Sequence, residues 1–461
     1  MSVSLGPVFE RFVQDRPIAA MARAAMERAI ADSTLDDLFE RTAKQQYTRE
    51  LLFSSCVQLM TLVVCNIQPA IHAAYQEVAA TLPVSLASVY NKLNGIEPGV
   101  SAALVQHTAS VFGDVIPSMG GQMPDLVPGY RVKIVDGNHL AATERRLDVL
   151  RQSHAGPLPG QCLVVLEPAL MLATKAIPCE DGHAQERSMT EPLLGCVEAK
   201  DVWIADRNFC TTRLLFGIAE REAFFVIRQH GATAPWQAVG PRKRRGRIDS
   251  GEVYEQDIVL TGEVGEPRRV RRITVELDKA TRDGDRELHL VTNLPKADVN
   301  AKRIADVYRE RWTLEVLFQE LTVTLSCEIN TLGYPKAALF GFCVALMAYN
   351  IVSVVKAALR AEHGHERIEQ EVSGYFLANE VSRTHDGMMV AVPPPKWKAF
   401  RTMTTNDFGQ ELRRMARGVN LRAYKKHPRG PKKPVPKRIR YKDKKHVSTA
   451  RLLAQVAGKA P

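Results

Sequence analysis

Two runs of β-branched and aromatic residues, each closed by an aspartate, constrain this chain most. Arg131-Val132-Lys133-Ile134-Val135 leads into Asp136-Gly137, and Val202-Trp203-Ile204-Ala205 leads into Asp206. Such runs read as strands, and an acid where a central strand ends often faces a site. Residues 161–167 and 169–176 add two strands bent at Pro168 into a hairpin. Thr211 or Thr212 can cap a helix over 213–219, and 223–228 forms the next strand. A hairpin followed by strands that alternate with helices predicts a mixed α/β sheet with helices packed on it.

Residues 229–299 break that pattern. Gly, Pro and charge clusters separate strands at 252–260, 268–277 and 286–292, which predicts a β-rich insertion. Its Arg242-Lys243-Arg244-Arg245 and Arg268-Arg269-Val270-Arg271-Arg272 clusters could contact phosphates, and an exposed strand or loop face explains them equally well. Trp236 is the insertion's only Trp and a candidate for stacking on an unpaired base.

The stretch 308–322, Tyr-Arg-Glu-Arg-Trp-Thr-Leu-Glu-Val-Leu-Phe-Gln-Glu-Leu-Thr, holds no Pro or Gly and reads as one continuous helix that begins near Ala301. At roughly 100° per residue, Tyr308, Arg311, Glu315 and Thr322 fall within an arc of about 60°. A carboxylate beside a guanidinium on one helix face can hold a cation next to a phosphate, or can simply form an i,i+4 pair. A very apolar helix follows over 337–360. Residues 366–420 read as helical around Pro393-Pro394-Pro395.

Residues 8–112 are predicted to be mostly helical. Within them, 70–79 and 86–93, joined through Pro83 and a Ser85 cap, outline a helix-turn-helix with Ser88, Tyr90, Asn91 and Lys92 as candidate groove-facing residues. A Gly- and Pro-rich stretch at 113–130 marks a boundary. The divisions are therefore 1–125 (helical, a candidate DNA-binding unit), 126–228 (first part of the core), 229–300 (insertion), 301–420 (second part of the core and C-terminal helices) and 421–461 (basic tail).

Charge is unevenly placed. Residues 422–445 carry twelve Lys or Arg against one Asp, a net +11 that equals the formal charge of the whole chain. A neutral body with a basic tail suits a polyanion, most often nucleic acid. The tail is expected to be disordered. At 45% hydrophobic and 25% charged, the composition is that of an ordinary globular protein. No apolar run approaches the ~20 residues that span a bilayer, and the N-terminus lacks the pattern of a signal peptide. The eight cysteines form no CxxC pair and read as reduced core residues of a cytoplasmic protein, not as a disulfide or zinc framework.

Asp136, Asp206 and Glu315 are thus candidates to meet in one place. Clustered carboxylates repel unless cations neutralise them, and hard divalent ions with oxygen ligands are natural partners. Two such ions ~4 Å apart can activate a nucleophile and stabilise the leaving oxygen in phosphodiester cleavage.

The ordered set resembles the DDE transposases of the insertion-sequence-four family. Tyr308, Arg311 and Glu315 resemble that family's YREK signature. Val135-Asp136-Gly137 looks like its first Asp motif, Ile204-Ala205-Asp206-Arg207-Asn208-Phe209 like its second, and Leu346-Met347-Ala348-Tyr349-Asn350 like the segment that follows the signature. The likeness spans roughly residues 130–355. It implies a ribonuclease-H-like core interrupted by a β-insertion, and cut-and-paste transposition of an insertion sequence. It further implies two Mg²⁺ or Mn²⁺ ions on Asp136, Asp206 and Glu315, and a backbone phosphate held by Tyr308 and Arg311. Trp312 would pack or stack beside a flipped end. Partners would be double-stranded DNA, as transposon ends and target, and a second copy of the chain on DNA, in the cytoplasm at the nucleoid. Two departures stand out: Thr322 occupies the signature's Lys position, and Asn208 stands where many relatives have Gly. Thr322 motivates an alternative, a catalytically impaired, transposase-derived DNA-binding protein. A repair or restriction nuclease would share the metal logic but cut without joining.

Overall fold

The computed structural model describes residues 6–45, 50–80, 82–140, 147–151, 155–230, 234–262, 267–281, 284–427 and 446–458. Its strands are β1 (Arg131–Leu140), β2 (Gly156–Leu158), β3 (Gly160–Glu167), β4 (Leu172–Cys179), β5 (Asp201–Ala205), β6 (Phe224–Arg228), β7 (Trp236–Ala238), β8 (Lys243–Ile248), β9 (Gly251–Leu260), β10 (Arg268–Leu277), β11 (Glu287–Thr292) and β12 (His446–Ser448). Ten of them form one sheet in the order β4-β3-β1-β5-β6-β11-β10-β9-β7, with β8 on β9. β1 pairs antiparallel with β3 and parallel with β5, and β5 pairs parallel with β6. This is the mixed α/β sheet expected from the pattern of runs.

Both faces of the sheet are covered, which is why all five residues of β5 are buried. Alternation sorts neighbours to opposite sides. Ile134 and Ile204 join the core built with the N-terminal helices, while Val135, Trp203 and Ala205 join the core under helix Thr212–Glu220. Helix Pro335–His363 runs through the first core. By length and apolar composition it could cross a membrane, contrary to the expectation from apolar runs, yet it is almost wholly enclosed by protein here. Asn350 pins it in place: the side-chain oxygen accepts from Ala173 N at 2.9 Å, and the amide donates to Ala173 O at 3.0 Å and to Thr108 Oγ1 at 3.2 Å. The N-terminal helices share this same apolar core with the sheet.

The helical pair Ile71–Val78 and Leu86–Gly95 is present, with Ser85 accepting from Ser88 N at 3.2 Å. Seven residues join the two helices. Lys92 lies over the Phe39 ring, 4.4 Å from its centre, and is half-buried, while Ser88 and Asn91 are exposed.

Three expectations are corrected, while the strands of the insertion join the core sheet through the pairing of β11 with β6. β1 does not end at Asp136 but continues to Leu140, because its pairing with β3 runs on past the acid. Helix 308–322 is broken into Ala301–Arg309 and Trp312–Val323. Between them the bonds Arg311 N to Tyr308 O and Leu314 N to Arg311 O, both 3.1 Å, tighten the chain to three-residue spacing. The tail is not disordered throughout. Residues 428–445 lie outside the described residues, but Leu421–Tyr424 forms a short helical turn and β12 pairs parallel with β2. Helix Thr449–Val456 follows β12, and Arg451 Nη2 reaches Asp181 at 2.7 Å.

Candidate active site

The last parallel pair between β1 and β5 is Ile134 with Ile204. Two residues further along each chain stand Asp136 and Asp206, in matching positions where the strands part. Extending that register would put their backbones about 5 Å apart. Crevices beyond the carboxyl ends of parallel strands are where open α/β sheets bind ligands.

Asp136 is mostly buried, with 16% of its side chain exposed. Its Oδ1 accepts from Gly137 N at 2.9 Å and its Oδ2 from Arg311 Nη1 at 2.8 Å. Burial pushes its carboxyl up to about 7. Arg311 opposes the rise, while Asp206 and Glu186 add to it. Asp206 caps the short turn Arg207–Phe209 by accepting from Asn208 N at 2.8 Å. Glu315, on the first turn of helix Trp312–Val323, accepts from Arg311 Nη2 at 2.5 Å.

Arg311 therefore bridges two carboxylates that lie 179 positions apart in the chain. Burial alone would weaken its charge, but Tyr308, Asp136 and Glu315 outweigh that and raise its pKa. Tyr308 is buried, which pushes its phenol up to about 12, and its oxygen accepts from Arg311. Across the tightened turn at 310–311, Tyr308 sits in the core while Arg311 reaches Asp136 and Glu315. Trp312 starts the same helix with 64% of its surface exposed.

Other residues singled out in the sequence are not brought here. Trp236 lies on β7, five strands from β5, with the Arg272 guanidinium 4.7 Å from its ring centre. At ~4.8 Å per strand that is roughly 24 Å from the acids. The Thr322 hydroxyl donates back to Phe318 O at 2.8 Å, the usual habit of a helical Thr. Most of the insertion's clustered arginines are paired within it: Arg242 with Glu276 and Glu287, Arg244 with Glu252, Arg245 and Arg271 with Glu255, Arg269 with Asp257; Arg268 reaches out to Glu220.

Sequence reasoning missed Glu186. It sits in the turn Glu186–Met189 and comes over Gly137, so closely that any Cβ at 137 would run into its carboxylate. Burial, and more weakly Asp206, push its pKa up. No local motif marks it; only the Gly after Asp136 hints that something approaches the strand there. Beside it opens a cleft of about 360 Å³ lined by His139, Glu186, Arg187, Arg207, Asn208 and His230.

Asp136, Asp206, Glu186 and Glu315 gather in this region, with Arg311 bonded to two of them, and an additional cation would offset both their repulsion and the burial of Asp136. The donors are all carboxylate oxygens, the set that suits a hard divalent ion. Among the described residues, no three His, Cys, Asp or Glu side chains stand close enough together to hold a metal as they are placed. Arg311 fills the space between Asp136 and Glu315, so metal binding there requires the guanidinium to move aside.

Comparison with known proteins bears on this arrangement. Residues 129–351 match the family model of the transposase DDE domain. The matched DDE-domain region runs from β1 through the insertion to the middle of helix Pro335–His363, and so contains Asp136, Asp206, Arg311 and Glu315. The chain is 27% identical to the "Putative transposase InsL for insertion sequence element IS186A" of Escherichia coli strain K12, over 35% of this chain and 53% of the relative. It matches the "Transposase for insertion sequence element IS421" of Escherichia coli with the same identity and shares. The chain spans about half the length of these curated relatives. Family match and relatives together support a transposase of the DDE type.

Proposed function

We propose that this chain cuts and joins the ends of an insertion sequence by metal-dependent phosphodiester hydrolysis and transesterification. The observation that carries the reading is the meeting of Asp136 and Glu315 on Arg311, with Asp206 just past the end of β5 and near enough to push the Asp136 carboxyl up. The order β4-β3-β1-β5-β6, a hairpin feeding into parallel strands, supports a ribonuclease-H-like core. The spacing of Tyr308, Arg311 and Glu315 supports membership of the insertion-sequence-four family.

Asp136, Asp206 and Glu315 would hold Mg²⁺ or Mn²⁺, two ions in all. When bound, the metal activates the attacking oxygen and stabilises the leaving one. Arg311 changes partners in this reading: it neutralises the acids in the free protein and forks onto a backbone phosphate when DNA arrives. Tyr308, whose oxygen accepts from Arg311, steadies that guanidinium and with it holds the phosphate. Trp312, exposed at the lip, stacks on an unpaired base. The cleft lined by Arg187 and Arg207 gives the strand a cationic wall. Double-stranded ends and target DNA are the substrates, a homodimer on DNA is the working form, and the bacterial cytoplasm at the nucleoid is the setting.

The test is single replacement of Asp136, Asp206 or Glu315 by Ala. Each change should abolish cleavage and strand transfer with Mg²⁺ while end binding persists; retained cutting in any of them would remove that residue from the metal site. A second reading, a DNA-binding derivative without chemistry, is favoured by Thr322, whose hydroxyl is turned back to Phe318 O. Tight end binding by wild-type protein with no strand-transfer product would establish it.

A further inference from the structure

Backbone pairing between β1 and β5 stops at Ile134 and Ile204, while β1 continues along β3. The two aspartates lie just beyond that point, where the ladder no longer fixes their spacing. A side chain from elsewhere spans the gap. Glu186 Oε2 accepts from Asn208 Nδ2 at 3.1 Å, on the exit of β5. Its other oxygen lies over Gly137, whose N–H bonds to this carboxylate as well as to Asp136 Oδ1. Asn208 in turn donates its own N–H to Asp206 Oδ1 at 2.8 Å. One chain of contacts therefore runs from Asp136 through Gly137, Glu186 and Asn208 to Asp206.

We infer that Glu186 is a positioning residue of this site, a clasp between the ends of β1 and β5 that holds Asp136 and Asp206 at a fixed separation for a shared divalent cation. The inference rests on the metal-site reading proposed above and adds to it a residue outside the three acids. Gly137 is part of the device, because only a residue without a Cβ lets the carboxylate reach the strand. Asn208 is its other half: a glycine there would keep the backbone bond to Asp206 and lose the amide that grips Glu186. The clasp approaches from the side of β1 that Gly137 faces. Asp136, one position earlier, points to the opposite side, toward Arg311. Glu186 thus acts on the spacing of the aspartates without competing for the space that Arg311 or an ion takes.

The experiment is Mn²⁺ binding to the full chain, read as loss of the free-ion electron paramagnetic resonance signal, together with the Mn²⁺ concentration needed for half-maximal cleavage of end-containing DNA. Glu186→Ala should weaken Mn²⁺ binding about ten-fold or more, the usual effect of losing a group that orients metal ligands, and should raise the half-maximal concentration in proportion. Asn208→Gly should do the same with Glu186 intact, which keeps the test open if Glu186→Ala fails to fold. Glu186→Gln should recover most of the affinity, because an amide can still accept from Gly137 and pair with a turned Asn208 amide. Wild-type Mn²⁺ affinity in both Glu186→Ala and Asn208→Gly would overturn the inference. So would Glu186→Gln as defective as Glu186→Ala, since the charge itself would then be the active element. Asp136→Asn is the reference. If it loses Mn²⁺ binding while the Glu186 variants keep it, only the clasp fails; if it binds Mn²⁺ like wild type, the metal-site reading fails first.

Discussion

Asp136→Asn should stabilise the metal-free protein while destroying its chemistry. In the folded chain burial lifts the Asp136 carboxyl from its ordinary 3.8 to about 7, even with Arg311 pulling the other way. Its folded-state pKa thus exceeds its unfolded one, so the folded chain binds the extra proton between those values. Stability is greatest below about 4, falls as pH rises through the window, and levels off above about 7. Holding the group ionised at pH 8 costs the folded state roughly 4 kcal/mol at 1.4 kcal/mol per tenfold change. Asn keeps the shape and an acceptor for Arg311 but carries no charge, so Asp136→Asn should gain roughly 2–4 kcal/mol at pH 8 and little at pH 4. Urea unfolding in chelator, followed by circular dichroism at pH 4, 6 and 8, measures this. Millimolar Mn²⁺ should raise the wild-type midpoint at pH 8 and leave the Asn variant unmoved. An Asn variant less stable than wild type at pH 8, with an unchanged slope between pH 4 and 7, would refute the claim that this carboxylate is held charged against its surroundings.

Other expectations follow from single contacts. Asn350→Ala strands the buried N–H and carbonyl of Ala173 and should cost about 2–4 kcal/mol in urea unfolding; a loss under 1 kcal/mol would mean that water replaces the amide. Arg271 is buried against Glu255 at 2.7 Å and donates to the carbonyls of Leu294 and Val299 at 2.9 Å. Arg271→Ala leaves a buried carboxylate short of a partner and should cost roughly 3–5 kcal/mol, with faster hydrogen exchange in β9–β11 as the local readout. Trp312→Ala should change stability by less than about 0.5 kcal/mol, as an exposed site does. It should weaken binding of ends with an unpaired base several-fold and leave fully paired ends unaffected, as measured by fluorescence anisotropy.

The strands were legible because runs of β-branched and aromatic residues end in turn chemistry. Residues 252–260 and 268–277 of the insertion match β9 and β10 to within a residue. The tightened turn at 310–311 was not legible, because Tyr-Arg-Glu-Arg-Trp contains nothing that opposes a helix. The break lies where Arg311 N and Leu314 N bond back three residues, beside the long-range contact of Arg311 with Asp136 that local sequence does not encode. Arg271 and Arg272 read as phosphate contacts from charge alone; in the fold they serve Glu255 and Trp236. Asp136, Asp206 and Glu315 could be named from motif and order, whereas Glu186 could not. Its place depends on how a short turn folds back over β1, a relation between distant segments that local pattern does not encode.

The union of insertion and core has a mechanical corollary. Leu290, Val291 and Thr292 of β11 are paired with Arg228, Ile227 and Val226 of β6, and β6 is paired with β5. A twist or pull applied to β7–β10 passes through that seam as through a stiff plate, and arrives one strand away from the chain that ends at Asp206. A load on the far rim is in this way a load on the aspartate.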